Sequence, residues 1–233
     1  MKRIHALLGV QSLVAILVSL NRLGTWTLGY VLPNEFLRWV DFNNMLVLPL
    51  ISVVASYLLK KTIEYDSPKR ERKAHIAWNL VFIVGLYLLG ASYGDHEVTN
   101  YLHQRFCETD TAGDLCRIVI FNDDEFSHWV FFTGFMMVNA AILFIQNLFP
   151  YQERITSTDF ALLALNALFL GAGIFANLGF EQVGLDLYVV ALLALISIYL
   201  LWRRGRQPMF IYYTLAYWLG LIASLIAQMW KNG

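Results

Sequence analysis

Seven long apolar runs, separated by short polar segments, constrain this 233-residue chain more than any other feature. A helical crossing of bilayer hydrocarbon about 30 Å thick needs about 20 apolar residues. The runs lie near Ile4–Leu20, Asn44–Leu59, Ala74–Gly94, Phe126–Leu148, Phe160–Leu178, Leu185–Trp202 and Met209–Trp230. They are too long and too uniform for the alternating strands of a membrane barrel. Helices pair their own backbone groups, which lipid cannot do for them. The expected fold is therefore all-α: a polytopic transmembrane bundle of about seven spans, with residues 1–233 as a single transmembrane domain. Composition agrees, since 58% hydrophobic and 15% charged residues leave a soluble fold of this size no way to hide its apolar surface.

The first run follows Lys2 and Arg3 but ends in Asn21-Arg22-Leu23-Gly24, without a small-x-small cleavage site, so it reads as an uncleaved span. Lys and Arg in the loops set orientation. With the N-terminus cytoplasmic, 12 of the 17 basic residues fall inside and 12 of the 17 acidic ones outside. An odd number of spans then puts the C-terminus outside. The expected location is the plasma membrane or a bacterial inner membrane. The expected partners are the lipid bilayer and a possible protein within the membrane. A formal net charge of zero offers no basic footprint for nucleic acid.

In this topology both cysteines fall in an outer segment, 95–125, and an oxidising compartment favours a Cys107–Cys116 disulfide. Residues 25–43 read as an interfacial outer loop carrying Trp26, Tyr30, Phe36, Trp39 and Phe42, with Asn34 placed to cap a short helix from Glu35. The basic loop Lys60–Lys73 reads as lying on the anionic inner leaflet. Gly90 with Gly94, and Ala167 with Gly171 near Gly173, are spaced for close helix approach. Asn79, Asn139, Asn166, Asn177 and Gln228 are candidates for hydrogen bonds between helices, and Tyr213 and Tyr217 share one face of the last span as cavity-lining candidates or packed core.

The chemistry-bearing residues gather at the outer ends of the third and fourth spans. Ser92, His96, Asn100 and His103 share one face if the third helix continues outward, beside Asp95. The fourth span starts Asn122-Asp123-Asp124-Glu125-Phe126-Ser127-His128, with Asp124 and His128 four apart. Three readings stay open. Acids at a helix N-terminus are favourable in themselves, which makes the group structural. His96, His103, His128, Asp95 and Asp124 are also suitable ligands for zinc. Histidine beside carboxylate is equally the chemistry of a proton sensor.

Ser92-x-x-x-His96 followed by Asp124-Glu125 resembles part of the pattern of the alkaline ceramidase and adiponectin-receptor superfamily of seven-span, zinc-dependent lipid amide hydrolases. The resemblance implies His96 as a zinc ligand with Ser92 and Asp124 at the site. It covers about five positions. It departs where that superfamily carries two histidines four apart in the last span, because Met209–Trp230 has none, and it sits on the third span instead of the second. Membership does not follow from it.

The spans hold no lysine for a retinal Schiff base and no charge near mid-membrane for a pump. Phosphate loop, nucleotide fingerprint, Cys-x-x-Cys-His and transporter repeat are absent. Two function classes remain: a non-enzymatic sensor, accessory subunit or carrier of a small or lipid-like molecule, and a metal-dependent hydrolase acting on a lipid.

Overall fold

The computed structural model describes residues 1–65, 72–109, 113–180 and 184–232. Part of the basic loop Lys60–Lys73 and the middle of the loop between the cysteines lie outside the described residues. Among the described residues, seven helices are long and apolar enough to cross a membrane: α1 (Lys2–Leu23), α2 (Trp39–Tyr65), α3 (Lys73–Cys107), α4 (Asp114–Leu148), α5 (Ser157–Leu178), α6 (Leu185–Arg204) and α7 (Pro208–Trp230). No strand occurs among the described residues. The helices pack in the cyclic order α1, α2, α3, α4, α6, α7, α5 and back to α1. Among the best-buried side chains, Leu143 and Ile145 lie on α4 and Met209, Phe210 and Tyr217 on α7.

Local signals explain several ends. α6 finishes with Arg203 and Arg204 opposite its C-terminal dipole and stops at Gly205, whose φ of 79° suits glycine. Pro208 then opens α7, where its missing N–H costs nothing. At the start of α5 the Thr156 hydroxyl accepts from the Asp159 N–H (3.1 Å), while the Asp159 carboxylate accepts from the Thr156 N–H (3.0 Å). That is a capping box.

Expectation and structure differ in places. The second span extends beyond the apolar run Asn44–Leu59 at both ends, since α2 runs 27 residues. Segment 95–125 is mostly helix, because α3 continues to Cys107 and α4 begins at Asp114. Each of these 35-residue helices is about 50 Å long at 1.5 Å per residue, well beyond the hydrocarbon thickness. Their polar ends extend past it, so they can be helical and charged together.

No helix starts at Glu35. The Asn34 carboxamide oxygen accepts from the Phe36 N–H (3.2 Å), and Glu35 takes a left-handed φ of 59°. Val31 N–H donates to Leu37 O, Trp39 N–H to Gly29 O and Val40 N–H to Thr27 O, closing a small hairpin. Turn chemistry outcompetes helix there. The hairpin docks on α3: Arg38 donates twice to Asp41 (2.8 Å each), covers the Tyr101 ring and donates to Gln104, while the Tyr101 hydroxyl donates to Glu35 O. The Asp41 hydrogen bond raises the Arg38 pKa further above its ordinary value.

Close approach falls at Gly171 beside Ala167, as their spacing suggests, but not at Gly90, Gly94 or Gly173. A Cβ on Gly90 or Gly94 would meet nothing within 4 Å. α3 and α4 cross at Gly85 and Gly134, where a Cβ on Gly134 would lie 2.9 Å from Gly85 O and Leu89 N. α5 and α7 cross at Gly171 and Gly220, with Ala167 and Ala216 fully buried beside them. Gly173 meets nothing.

Among the asparagines, Asn79, Asn139 and Asn177 donate to carbonyls of their own helices. Asn166 also reaches across, accepting from Ser12 at 2.7 Å. The α1–α2 contact has its own polar lock, in which Gln11 bonds Ser52 and Ser56 at 2.7–2.8 Å. The Tyr213 and Tyr217 rings stack at 5.5 Å inside the core, and the Tyr217 hydroxyl is buried with no hydrogen-bond partner among the described residues. They line no part of the histidine cluster.

Candidate metal centre

The extended ends of α3 and α4 form a hairpin. At its tip the Cys107 and Cys116 sulfurs are at bonding distance, 2.00 Å, across a separation of nine residues. Both cysteines are buried, with Val119 packed on them. This ties the two helices together one turn beyond the histidines.

One face of α3 then meets α4 as the expected polar face requires. The residue it meets is Asp123. This side chain is 1% exposed. Its Oδ2 accepts a hydrogen bond from His103 Nδ1 (2.9 Å), with Asn100 Nδ2 at 3.4 Å. Its Oδ1 lies 3.0 Å from His96 Nδ1, within ion-pair reach but without hydrogen-bond alignment, so neither atom has a directed partner. His128, one turn further along α4, sets its ring edge-on to His96 at 5.1 Å. Asp124 is exposed at the rim. One ligand atom from each of His103, Asp123 and Asp124 falls within 4.8 Å of the others.

Sequence reasoning placed Asp124 in the ligand set and left Asp123 out. The physical reason for the difference is local. Residues Asn122–Phe126 form a π-helical turn, as do His103–Cys107 on α3. The i, i+4 spacing of Asp124 and His128 favoured Asp124, whereas the stripe of α4 that is buried runs through Ser127, Asp123, Val119 and Cys116. The hydroxyl of Ser127 donates to Asp123 O (2.7 Å) and holds that turn. The only sequence signal for Asp123 was Ser127 four residues on.

The remaining candidates divide. Ser92 is buried and its hydroxyl donates to Ser127 O (2.9 Å), so it fastens α3 to α4. Asp95 sits one residue from His96 on α3, with a buried Oδ2 lacking a hydrogen bond.

A buried carboxylate costs several kcal/mol unless it is paired. Two imidazoles are the compensation here. Where neutral Nδ1–H donates to a carboxylate, the other ring nitrogen is left as an acceptor, the tautomer that metal sites use. Tetrahedral zinc with bonds of about 2.1 Å holds its ligands about 3.4 Å apart. The candidate ligand atoms of His103, Asp123 and Asp124 lie within 4.8 Å of one another, a wider set than that geometry.

Two histidine pairs occupy the opposite end of the bundle. His5 Nε2 lies 2.9 Å from Asp159, and His75 Nε2 lies 2.8 Å from Glu64, which also pairs with the buried Lys60 at 2.7 Å. These tie helix ends together and gather fewer ligands. No protein-family profile, curated protein or solved structure matches the chain.

Proposed function

We propose that the protein is a non-enzymatic component of a plasma membrane or bacterial inner membrane, a sensor or accessory subunit, whose outer face binds a divalent transition-metal ion such as zinc. The N-terminus is cytoplasmic and the C-terminus outside in this reading, as the asymmetry of Lys and Arg favours. The observation that carries it is Asp123: a buried carboxylate shared by His96 and His103, with Asp124 in reach of the same point. The hydrolase reading is the weaker of the two. Ser92 is committed to a backbone carbonyl, and the last helix has no histidine to complete a ligand set.

The test is zinc titration of the purified protein by calorimetry, with metal analysis after dialysis. The expected result is one zinc per chain, lost in Asp123→Asn and in His103→Ala. Protons compete with metal for imidazole and carboxylate, so affinity must fall as pH is lowered. Stoichiometric zinc that survives both substitutions moves the site elsewhere, and no binding at all overturns the reading. Orientation is tested separately. A cysteine introduced by Leu115→Cys (73% exposed) must label from outside intact cells with an impermeant maleimide, and one from Tyr65→Cys (87% exposed) only after lysis.

A further inference from the structure

At the end of the bundle opposite the cysteines, the start of α5, the end of α6 and the first turns of α7 enclose a cleft of about 870 Å³. Its lining has three kinds of surface. Arg154 and Arg206 stand at the loops, and no ion pair to either is seen among the described residues. Phe160, Leu201 and Leu215 form apolar walls. Between them Thr214, 9% exposed, has a buried hydroxyl with no hydrogen-bond partner among the described residues.

That hydroxyl departs from the chain's own habit. Ser19, Thr62, Thr99, Ser127, Thr133 and Ser224 each donate to the carbonyl four residues back in the helix. Thr214 does not, and a buried hydroxyl left unmade costs about 1–3 kcal/mol. Thr214 is six residues into α7, about 9 Å along the axis. Headgroup zones are about 5–7 Å deep on each side of the hydrocarbon, so this depth is near the ester level of a lipid. The neighbouring acids are engaged elsewhere: Glu153 accepts from the Tyr151 hydroxyl, and Asp159 from His5 and Thr156.

We propose that this cleft is a binding site for an anionic phospholipid of the adjoining leaflet. The phosphate pairs with Arg154 and Arg206, an ester carbonyl accepts from Thr214, and an acyl chain lies along Phe160, Leu201 and Leu215. Arginine suits phosphate through its paired donors. This site is independent of the metal reading and lies at the other membrane face.

The experiment is native mass spectrometry of the full chain in detergent, with phosphatidylglycerol and phosphatidylcholine in competition. One phosphatidylglycerol per chain is expected to be retained in preference to phosphatidylcholine. The double substitution Arg154→Gln/Arg206→Gln should weaken that preference by about thirtyfold, each arginine near an anionic surface contributing about fivefold. Leu215→Trp fills the cleft without altering charge and must also displace the lipid. Equal retention of the two lipids, or a phosphatidylglycerol adduct unchanged in both variants, overturns the proposal. Displacement by millimolar inorganic phosphate would overturn it in favour of a free anion.

Discussion

Replacing Gly134 by alanine tests the packing that brings the histidine and carboxylate cluster together. The added Cβ would lie 2.9 Å from Gly85 O and Leu89 N, both backbone atoms of α3, and 3.1 Å from the Leu88 Cβ. Ordinary contact begins at 3.4 Å, so α3 and α4 must separate by about 0.5 Å, and neither obstacle is a flexible side chain. Overpacking of this kind costs about 1–3 kcal/mol. The control is Gly90→Ala on the same α3, where a Cβ meets nothing within 4 Å. It should be neutral or stabilising by up to about 1 kcal/mol, because alanine outranks glycine in a helix. Thermal unfolding in detergent reads the difference. At about 2–4 °C per kcal/mol for a chain of this size, Gly134→Ala should unfold roughly 2–12 °C lower, while Gly90→Ala should not fall. Gly134 is 11 residues from Asp123, about 16 Å along the helix, so the same separation should loosen the 2.9 Å Asp123–His103 contact and weaken zinc binding. Equal unfolding temperatures for the two variants would refute the assigned crossing point.

Two further outcomes are expected. Without reductant, maleimide should leave Cys107 and Cys116 unmodified even in denaturant, and Cys107→Ser/Cys116→Ser should cost about 2–3 kcal/mol from loop entropy at a separation of nine residues; rapid labelling of both thiols would remove the bridge. Arg38→Lys should lose the paired contact with Asp41 and the cover over Tyr101, costing about 1–3 kcal/mol and speeding hydrogen exchange in the 27–40 hairpin, with unchanged exchange contradicting the docking described.

The two halves of the candidate metal centre differ in how legible they were. The α3 face of His96, Asn100 and His103 followed from spacing alone, because three contacts to one carboxylate need only helical phase along a single helix. The carboxylate did not follow, because in a run of three adjacent acids the spacing to His128 favoured Asp124, and only packing against α3 shows that Asp123 is the buried one. The same contrast holds for small residues. Ala167 and Gly171 lie on one helix and could be read from their spacing, whereas Gly85 and Gly134 are single residues on different helices, and no local pattern joins them.

The sequence by itself determined seven long helices and an all-α chain suited to lipid, since each span pairs its own backbone and needs no partner to do so. It also brought the two cysteines near enough to join. The tertiary structure alone decided which carboxylate the histidines share, where α3 and α4 touch, that residues 27–40 fold back as a hairpin, and that Tyr213 and Tyr217 stack in the core. Each of those depends on the rotation of one element against another, a quantity fixed by packing between segments and absent from any single segment's periodicity.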